Sequence, residues 1–274
     1  MPRISLLLVA LLVSACGDGA ETDTDAPPAA ELATADAVAD AVLERYDANV
    51  GATDSFVVTG AGVEARYTAI DDTTGLDQFG PPEISPVGDA PAPPESAQLL
   101  ANHIPNGRRL AKGLRSAEFG GLVTRDGRRA YVLTSDDAGV LLGAPGNAGG
   151  PDLEVRVYVD AETFDVLEIY TSAATDDASE PTVGRIIYSD FREADGLRLP
   201  YRVREVTTGL SSMIDDDTRM VQGGALSLQK RQLEAAPPGP ERDAQLAQVN
   251  AQLRMLNEGV LENEVVVESV RVGE

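Results

Sequence analysis

The chain has 274 residues, with 45 Asp and Glu against 22 Lys and Arg, a formal net charge of −23. So acidic a balance repels nucleic-acid phosphates and anionic lipid headgroups, which excludes a nucleic-acid binder and a basic membrane-surface patch. Trp is absent and aromatic residues make up 4%, against a stacking platform for bases or sugars, while one Cys and one His leave no disulfide, no thiolate metal cluster and no multi-His site.

In chain order, Met1-Pro2-Arg3 precedes a nearly continuous apolar run over 4–13, closed by Ser14 and Ala15. One positive charge, a short apolar centre and small residues read as a secretory signal peptide over 1–15. The run is far short of the roughly 20 apolar residues that span a bilayer. Val13-Ser14-Ala15-Cys16 resembles the bacterial lipobox, an aliphatic residue and two small ones before Cys. That resemblance implies cleavage before Cys16 and lipidation of its thiol, with acyl chains anchoring the protein at about 0.8 kcal/mol per buried CH₂. An ordinary secretory cleavage site with an incidental Cys is the alternative. The stretch 16–30 is polar, acidic and Pro-bearing, a lipidated flexible tether with ends roughly 20 Å apart.

The globular part is expected over 31–274. A helix is predicted over 31–50, since Leu32, Ala35, Val38, Val42, Leu43, Tyr46 and Val50 recur at helical steps before Gly51. Alternation over 55–70 predicts one long strand with a glycine bend. Residues 71–94 read as a Pro- and Gly-rich loop, and 95–114 as a helix broken at Pro105. Three hairpins follow: 120–135 turning at Asp126-Gly127, 153–172 with Leu153, Val155, Val157 and Val159 on one face, and 183–207 turning at Asp195-Gly196. In the third, Leu197, Leu199, Tyr201 and Val203 alternate with Arg198, Pro200, Arg202 and Arg204, and Pro200 demands an edge strand or a bulge. Two helices separated by "PPGP" form a helical-hairpin insertion over 223–259, with Leu246, Val249, Leu253, Leu256 and Val260 as its seam. The last segment, "ENEVVVESVRV", is a strand that should rejoin the sheet. The fold class is therefore α+β, an antiparallel sheet with one apolar face.

Known chemistry-bearing patterns are absent from the sequence. His103 stands alone beside Pro105, so it supports no triad. Acidic pairs at Asp71-Asp72, Asp136-Asp137 and Asp176-Asp177 and the triplet Asp215-Asp216-Asp217 lack the alternating oxygens and distant Glu of a calcium loop. No nucleophile elbow, phosphate loop or dinucleotide fingerprint occurs. No catalytic residue, metal or cofactor is assigned.

The order of elements, with "VYVDAETFDVLEI", "YSDFREADGLRLPYRV" and "VVVESVRV", resembles the Lol lipoprotein-carrier superfamily of outer-membrane lipoprotein sorting. The resemblance covers 31–208 and the last strand; the insertion 223–259 lies outside it. It implies an unclosed β-barrel, a half-pipe with helices covering its concave face, and an apolar cavity that accepts acyl chains of a lipid or lipoprotein without catalysis. The cavity-lining residues expected on that basis are Val42, Tyr46, Val155, Val157, Val159, Leu197, Leu199, Tyr201 and Val203. Gly17, rather than Asp, after the lipidated Cys implies anchoring at the periplasmic face of the outer membrane. The alternative is an envelope interaction module that docks a protein partner through the helical hairpin 223–259.

Overall fold

The computed structural model describes residues 31–88, 99–101, 104–136, 139, 153–174 and 181–273, with backbone alone at 212–213 and 240–241. The expectations for the signal peptide, Cys16, the tether and His103 lie outside these residues. Leu32–Glu274 makes one compact unit. Its helices are α1 (Ala35–Ala48), α2 (Gly107–Leu114), α3 (Asp216–Ala235) and α4 (Pro240–Glu258). Its strands are β1 (Ser55–Gly60), β2 (Val63–Thr68), β3 (Glu83–Pro86), β4 (Glu118–Arg125), β5 (Arg128–Ser135), β6 (Leu153–Asp160), β7 (Val166–Ala173), β8 (Thr182–Ala194), β9 (Leu197–Thr208) and β10 (Leu261–Val272).

All ten strands join one antiparallel sheet in the order β3-β2-β1-β10-β9-β8-β7-β6-β5-β4, and the sheet does not close into a barrel. Local chemistry sets its turns. Ala61-Gly62, Asp126-Gly127 and Asp195-Gly196 all have positive φ at both positions, the requirement of the tight turn whose twist matches paired strands. The first of these corrects the single strand expected over 55–70. Ala61 takes φ 51° beside Gly62 at 77°, and the chain folds back into β1 and β2. Alternating polarity alone cannot tell a long strand from a hairpin whose turn preserves the alternation. The loop expected over 71–94 also contributes the short edge strand β3.

The C-terminal strand rejoins the sheet at its centre. β10 pairs with β9 through Leu261–Val266 and with β1 through Val267–Val272, so it alone connects β1, β2 and β3 to the remaining strands. Pro200 lies in an internal strand, where it is tolerated because β10 pairs β9 only from Arg202 onward. Opposite it, Asp190 of β8 takes a φ of 54° between the Ser189–Arg202 and Phe191–Pro200 pairs, with the register unchanged across it.

One face of the sheet carries the core. α1 starts at Thr34, whose hydroxyl accepts the Ala37 amide (3.2 Å), and it buries Val38, Ala39, Val42 and Tyr46. α2 starts just past Pro105, where the Asn106 side chain accepts the Arg109 amide (3.1 Å). Leu99, Leu100, Leu110 and Leu114 join the same core cluster as Phe56, Val58, Val155, Val157, Leu199 and Val265. Each such side chain stabilises the fold by about 1.5–3 kcal/mol on burial. The other face holds cross-strand ion pairs such as Arg202–Glu264 and Arg204–Glu262 (both 3.6 Å) and Arg271–Glu64.

The helical insertion is longer than expected: α3 begins at Asp216, seven residues before 223, where Asp215 Oδ1 accepts the Thr218 amide (2.7 Å). The acidic triplet is therefore the start of a helix, with Asp215 capping it and Asp216 and Asp217 in the first turn, where carboxylates suit the helix dipole. The two helices pack on each other. α3 buries no residue, and α4 buries Val249 and Leu256, neither of which belongs to the sheet core.

Candidate functional site: an apolar cleft with a charged rim

All nine residues expected to line a cavity are buried, and all nine belong to one core cluster. The structure divides them. Val155, Val157, Val159, Leu197, Tyr201 and Val203 are buried in the core cluster and are not in the walls of the clefts at its end, whereas Val42, Tyr46 and Leu199 are. The reason is the second covering element. Leu99, Leu100, Leu110 and Leu114 join the Ala and Val side chains of α1 in that cluster, so the cover is bulkier than α1 alone would make it.

Open apolar space lies instead at one end of the core. A cleft of about 70 Å³ is framed by the last turns of α1, the β6–β7 turn and the β8–β9 hairpin, with Val42, Tyr46, Val50, Phe164, Phe191 and Leu199 in its walls. A second, of about 140 Å³, is walled by Tyr46, Phe56, Tyr67, Phe79, Ile104 and Pro105. Tyr46, Ile104 and Pro105 border both. These three residues form the wall that the two clefts share, a partition between them. Two wider grooves of about 480 Å³ each lie elsewhere. One sits on the outer face of the sheet beside Arg125, Arg156 and Tyr158, and the other on the helical insertion beside Met220 and Gly223.

The partition is held from both sides. A Cβ on Gly107 would fall 2.3 Å from Tyr46 Cγ, so only glycine lets the first turn of α2 lie against that ring. Beyond it, Phe56 stacks on Tyr67 (4.6 Å between ring centres), with Phe79 edge-on to Phe56 at 5.3 Å. The Tyr67 hydroxyl donates to the Leu100 carbonyl (2.8 Å). Burial pushes the Tyr46 hydroxyl up to about 12, with Arg108 opposing, and burial raises Tyr67 further. Both phenols stay neutral at any physiological pH, so neither brings charge to the wall it forms.

Charge enters only at the rim of the smaller cleft. Arg45, Asp165 and Arg198 are the charged side chains among its described lining residues. Arg45 Nε donates to Asp165 Oδ1 (3.3 Å) and Arg198 Nε to Asp165 Oδ2 (3.0 Å). Asp165 is buried, with its side chain 7% exposed. Thr163 Oγ1 adds a third hydrogen bond to it (2.8 Å). Asn49 then fixes the hairpin to α1: its Nδ2 donates to the Arg198 carbonyl and the Arg198 amide donates back to its Oδ1, both at 2.7 Å. Arg198 also lies over the Phe191 ring at 5.6 Å.

Arg45, Asn49, Ile104, Phe164, Asp165, Phe191 and Arg198 were not singled out from the sequence. Asp165 and Arg198 stand in the quoted hairpin stretches, but nothing local signals that they meet α1. The separation is 120 residues for Arg45 and Asp165 and 149 for Asn49 and Arg198. Among the described residues, no group of three or more His, Cys, Asp or Glu is placed to hold a metal ion, and no helix is long and apolar enough to cross a membrane. No family model, curated protein or solved structure matches the chain.

Proposed function

We propose that the protein is a non-enzymatic envelope lipoprotein that binds an acyl chain at the end of its core, in the paired clefts around Tyr46. The observation that carries this reading is the shared wall: two clefts at the end of the core have Tyr46, Ile104 and Pro105 in common, and charged side chains enter only at the Arg45, Asp165 and Arg198 rim of the smaller one. Apolar lining favours a hydrocarbon because each CH₂ removed from water contributes about 0.8 kcal/mol without needing a hydrogen-bond partner. Each cleft is smaller than the roughly 300–1,000 Å³ of ordinary ligand pockets. The chain end, in this reading, enters the smaller cleft first, and a turn of the Tyr46 side chain on α1 joins the two. In this reading the unclosed sheet acts as a half-pipe, α1 and α2 cover its concave face, Cys16 carries the lipid anchor, and the globule works at the outer membrane.

The test is uptake of a fluorescent neutral hydrocarbon probe by the purified protein, with Ile104→Asp as the variant. Ile104 is only partly buried and borders both clefts. Saturable uptake, reduced by about tenfold or more in Ile104→Asp at an unchanged melting temperature, is the expected result. Absence of saturable uptake in the parent protein overturns the reading.

A second reading rests on a separate observation. Met220, Val221 and Leu228 on α3 are 74%, 73% and 58% exposed, and α3 buries nothing. This favours the helical insertion as a docking surface for an envelope partner. Loss of crosslinked partners on deletion of the insertion, with hydrocarbon uptake intact, would favour it over the first.

A further inference from the structure

The rim of the smaller cleft sets the chemistry of the head that an apolar chain would carry. Arg45 and Arg198 converge on a single carboxylate, Asp165, leaving one surplus positive charge beside Val42, Phe164, Phe191 and Leu199. Each guanidinium offers Asp165 its Nε, and among the described residues the side chain of neither makes another hydrogen bond. Their Nη groups remain as donors with fixed fork geometry, the arrangement that suits carboxylate and phosphate oxygens. The two arginine side chains are only 27% and 26% exposed, so their charge is partly shielded from water.

The cluster is also built rigidly. Asn49 pins the Arg198 backbone from both sides, Phe191 lies under the Arg198 guanidinium, and Thr163 holds Asp165. Little side-chain freedom is lost when a ligand arrives, which preserves affinity. An acyl tail in the cleft brings its polar end to this rim, because the opposite direction leads into the uncharged partition of Tyr46, Ile104 and Pro105.

We propose that the ligand is an anionic amphiphile, a single hydrocarbon tail with a carboxylate or phosphate head, whose head oxygens accept hydrogen bonds from the Arg45 and Arg198 Nη groups while the tail enters the cleft. This rests on the chain-binding reading above. It adds head selectivity that a purely hydrophobic cleft would not have. The same rim discriminates against a cationic head by repulsion from two guanidiniums.

The experiment compares four probes of equal tail length, dodecanoate, dodecyl phosphate, dodecanol and dodecyltrimethylammonium, by calorimetric titration at about pH 8, where the carboxylate is ionised. The expected result is binding of dodecanoate and dodecyl phosphate about tenfold tighter than dodecanol, with the cationic probe weakest. Arg45→Gln brings dodecanoate and dodecyl phosphate close to dodecanol by weakening the anionic probes more than the alcohol, and Arg45→Lys restores part of the preference. Thermal melting of each variant checks the fold, and Arg45 is chosen because Arg198 also pairs its backbone with Asn49. Preference for phosphate over carboxylate, or the reverse, identifies the head without altering the proposal. Equal affinity for dodecanoate and dodecanol overturns the head selectivity while leaving chain binding standing. No binding of any of the four overturns both. Tightest binding of the cationic probe overturns it in favour of Asp165 as the head contact.

Discussion

Glu168 shows how a carboxylate survives burial on the outer face of the sheet. It sits in β7 at 1% exposure. Arg125 reaches it with Nε on Oε2 (2.7 Å) and Nη2 on Oε1 (2.8 Å). Arg185 reaches it with Nε on Oε1 (2.6 Å) and Nη2 on Oε2 (3.1 Å). Burial pushes its pKa upward, but the paired hydrogen bonds from Arg185 and Arg125 outweigh that, and the net position is below the ordinary carboxylate value. A folded pKa below the unfolded one contributes stability that is present above the unfolded value and is lost as pH falls through the folded one. Glu168→Gln is expected to destabilise the fold at neutral pH by about 1–3 kcal/mol, less than a fully enclosed pair because both arginines are about a third exposed and can regain water. Denaturant unfolding of both proteins checks this. The gap should narrow as pH falls from about 5 toward 3. A gap that stays constant with pH would mean that packing, not charge, holds the site.

Among elements, the helical insertion is the one the fold can do without. The Leu210 amide donates to the Gly259 carbonyl (3.1 Å), so the chain leaves β9 and returns to β10 at nearly the same place. Its own buried side chains, Val249 and Leu256, lie outside the sheet core. Deleting 212–257 should leave a short turn between β9 and β10 and a cooperative unfolding transition. The melting temperature should move by no more than about 2–4 °C, the shift that roughly 1 kcal/mol produces in a domain of this size. Loss of cooperative melting would show that the insertion is part of the fold. The elements also show what the sequence made legible. α1, the three later hairpins and β10 were readable because their signals are local: a stripe at helical spacing, Asp-Gly turns in two hairpins and alternation in the third, and Val265, Val267 and Val270 in an apolar segment near the C-terminus. The cleft was not readable in the same way. Its walls come from α1, the 104–107 break, the β6–β7 turn and the β8–β9 hairpin, and their meeting depends on register across the whole sheet. Periodicity identified Val157 and Val203 as inward-facing but carried no information on whether a neighbour fills the space beside them. Leu100 and Leu114, which join the same core cluster, lie on either side of the Pro105 break, where the helical pattern is interrupted.

At the scale of the molecule, charge and topology pull in different directions. The sheet is closed up late in the chain, since β1 pairs with β10 through Phe56–Val272 and β10 alone links the first three strands to the rest. Pairings this distant are costly to form, and stability then depends on holding them against self-repulsion. The chain carries 45 acidic residues against 22 basic ones, so most carboxylates have no cation of their own. Added salt weakens the exposed ion pairs, such as Arg202–Glu264 at 3.6 Å, but those pairs contribute at most about 1 kcal/mol each. Screening of the surplus negative charge acts on every acidic loop at once, because the Debye length falls from about 30 Å at 0.01 M to about 3 Å at 1 M. The surplus wins this comparison by number. Raising salt from about 10 mM to about 0.5 M is expected to raise the melting temperature by several degrees, on the order of 1–2 kcal/mol at about 2–4 °C per kcal/mol. A sodium chloride series followed by circular dichroism measures it. A fall in melting temperature would show that the outer-face ion pairs between β9, β10 and β1 outweigh the repulsion. The same series should weaken binding of dodecanoate but not of dodecanol, because salt screens the charge at Arg45 and Arg198 while leaving the apolar walls unaffected.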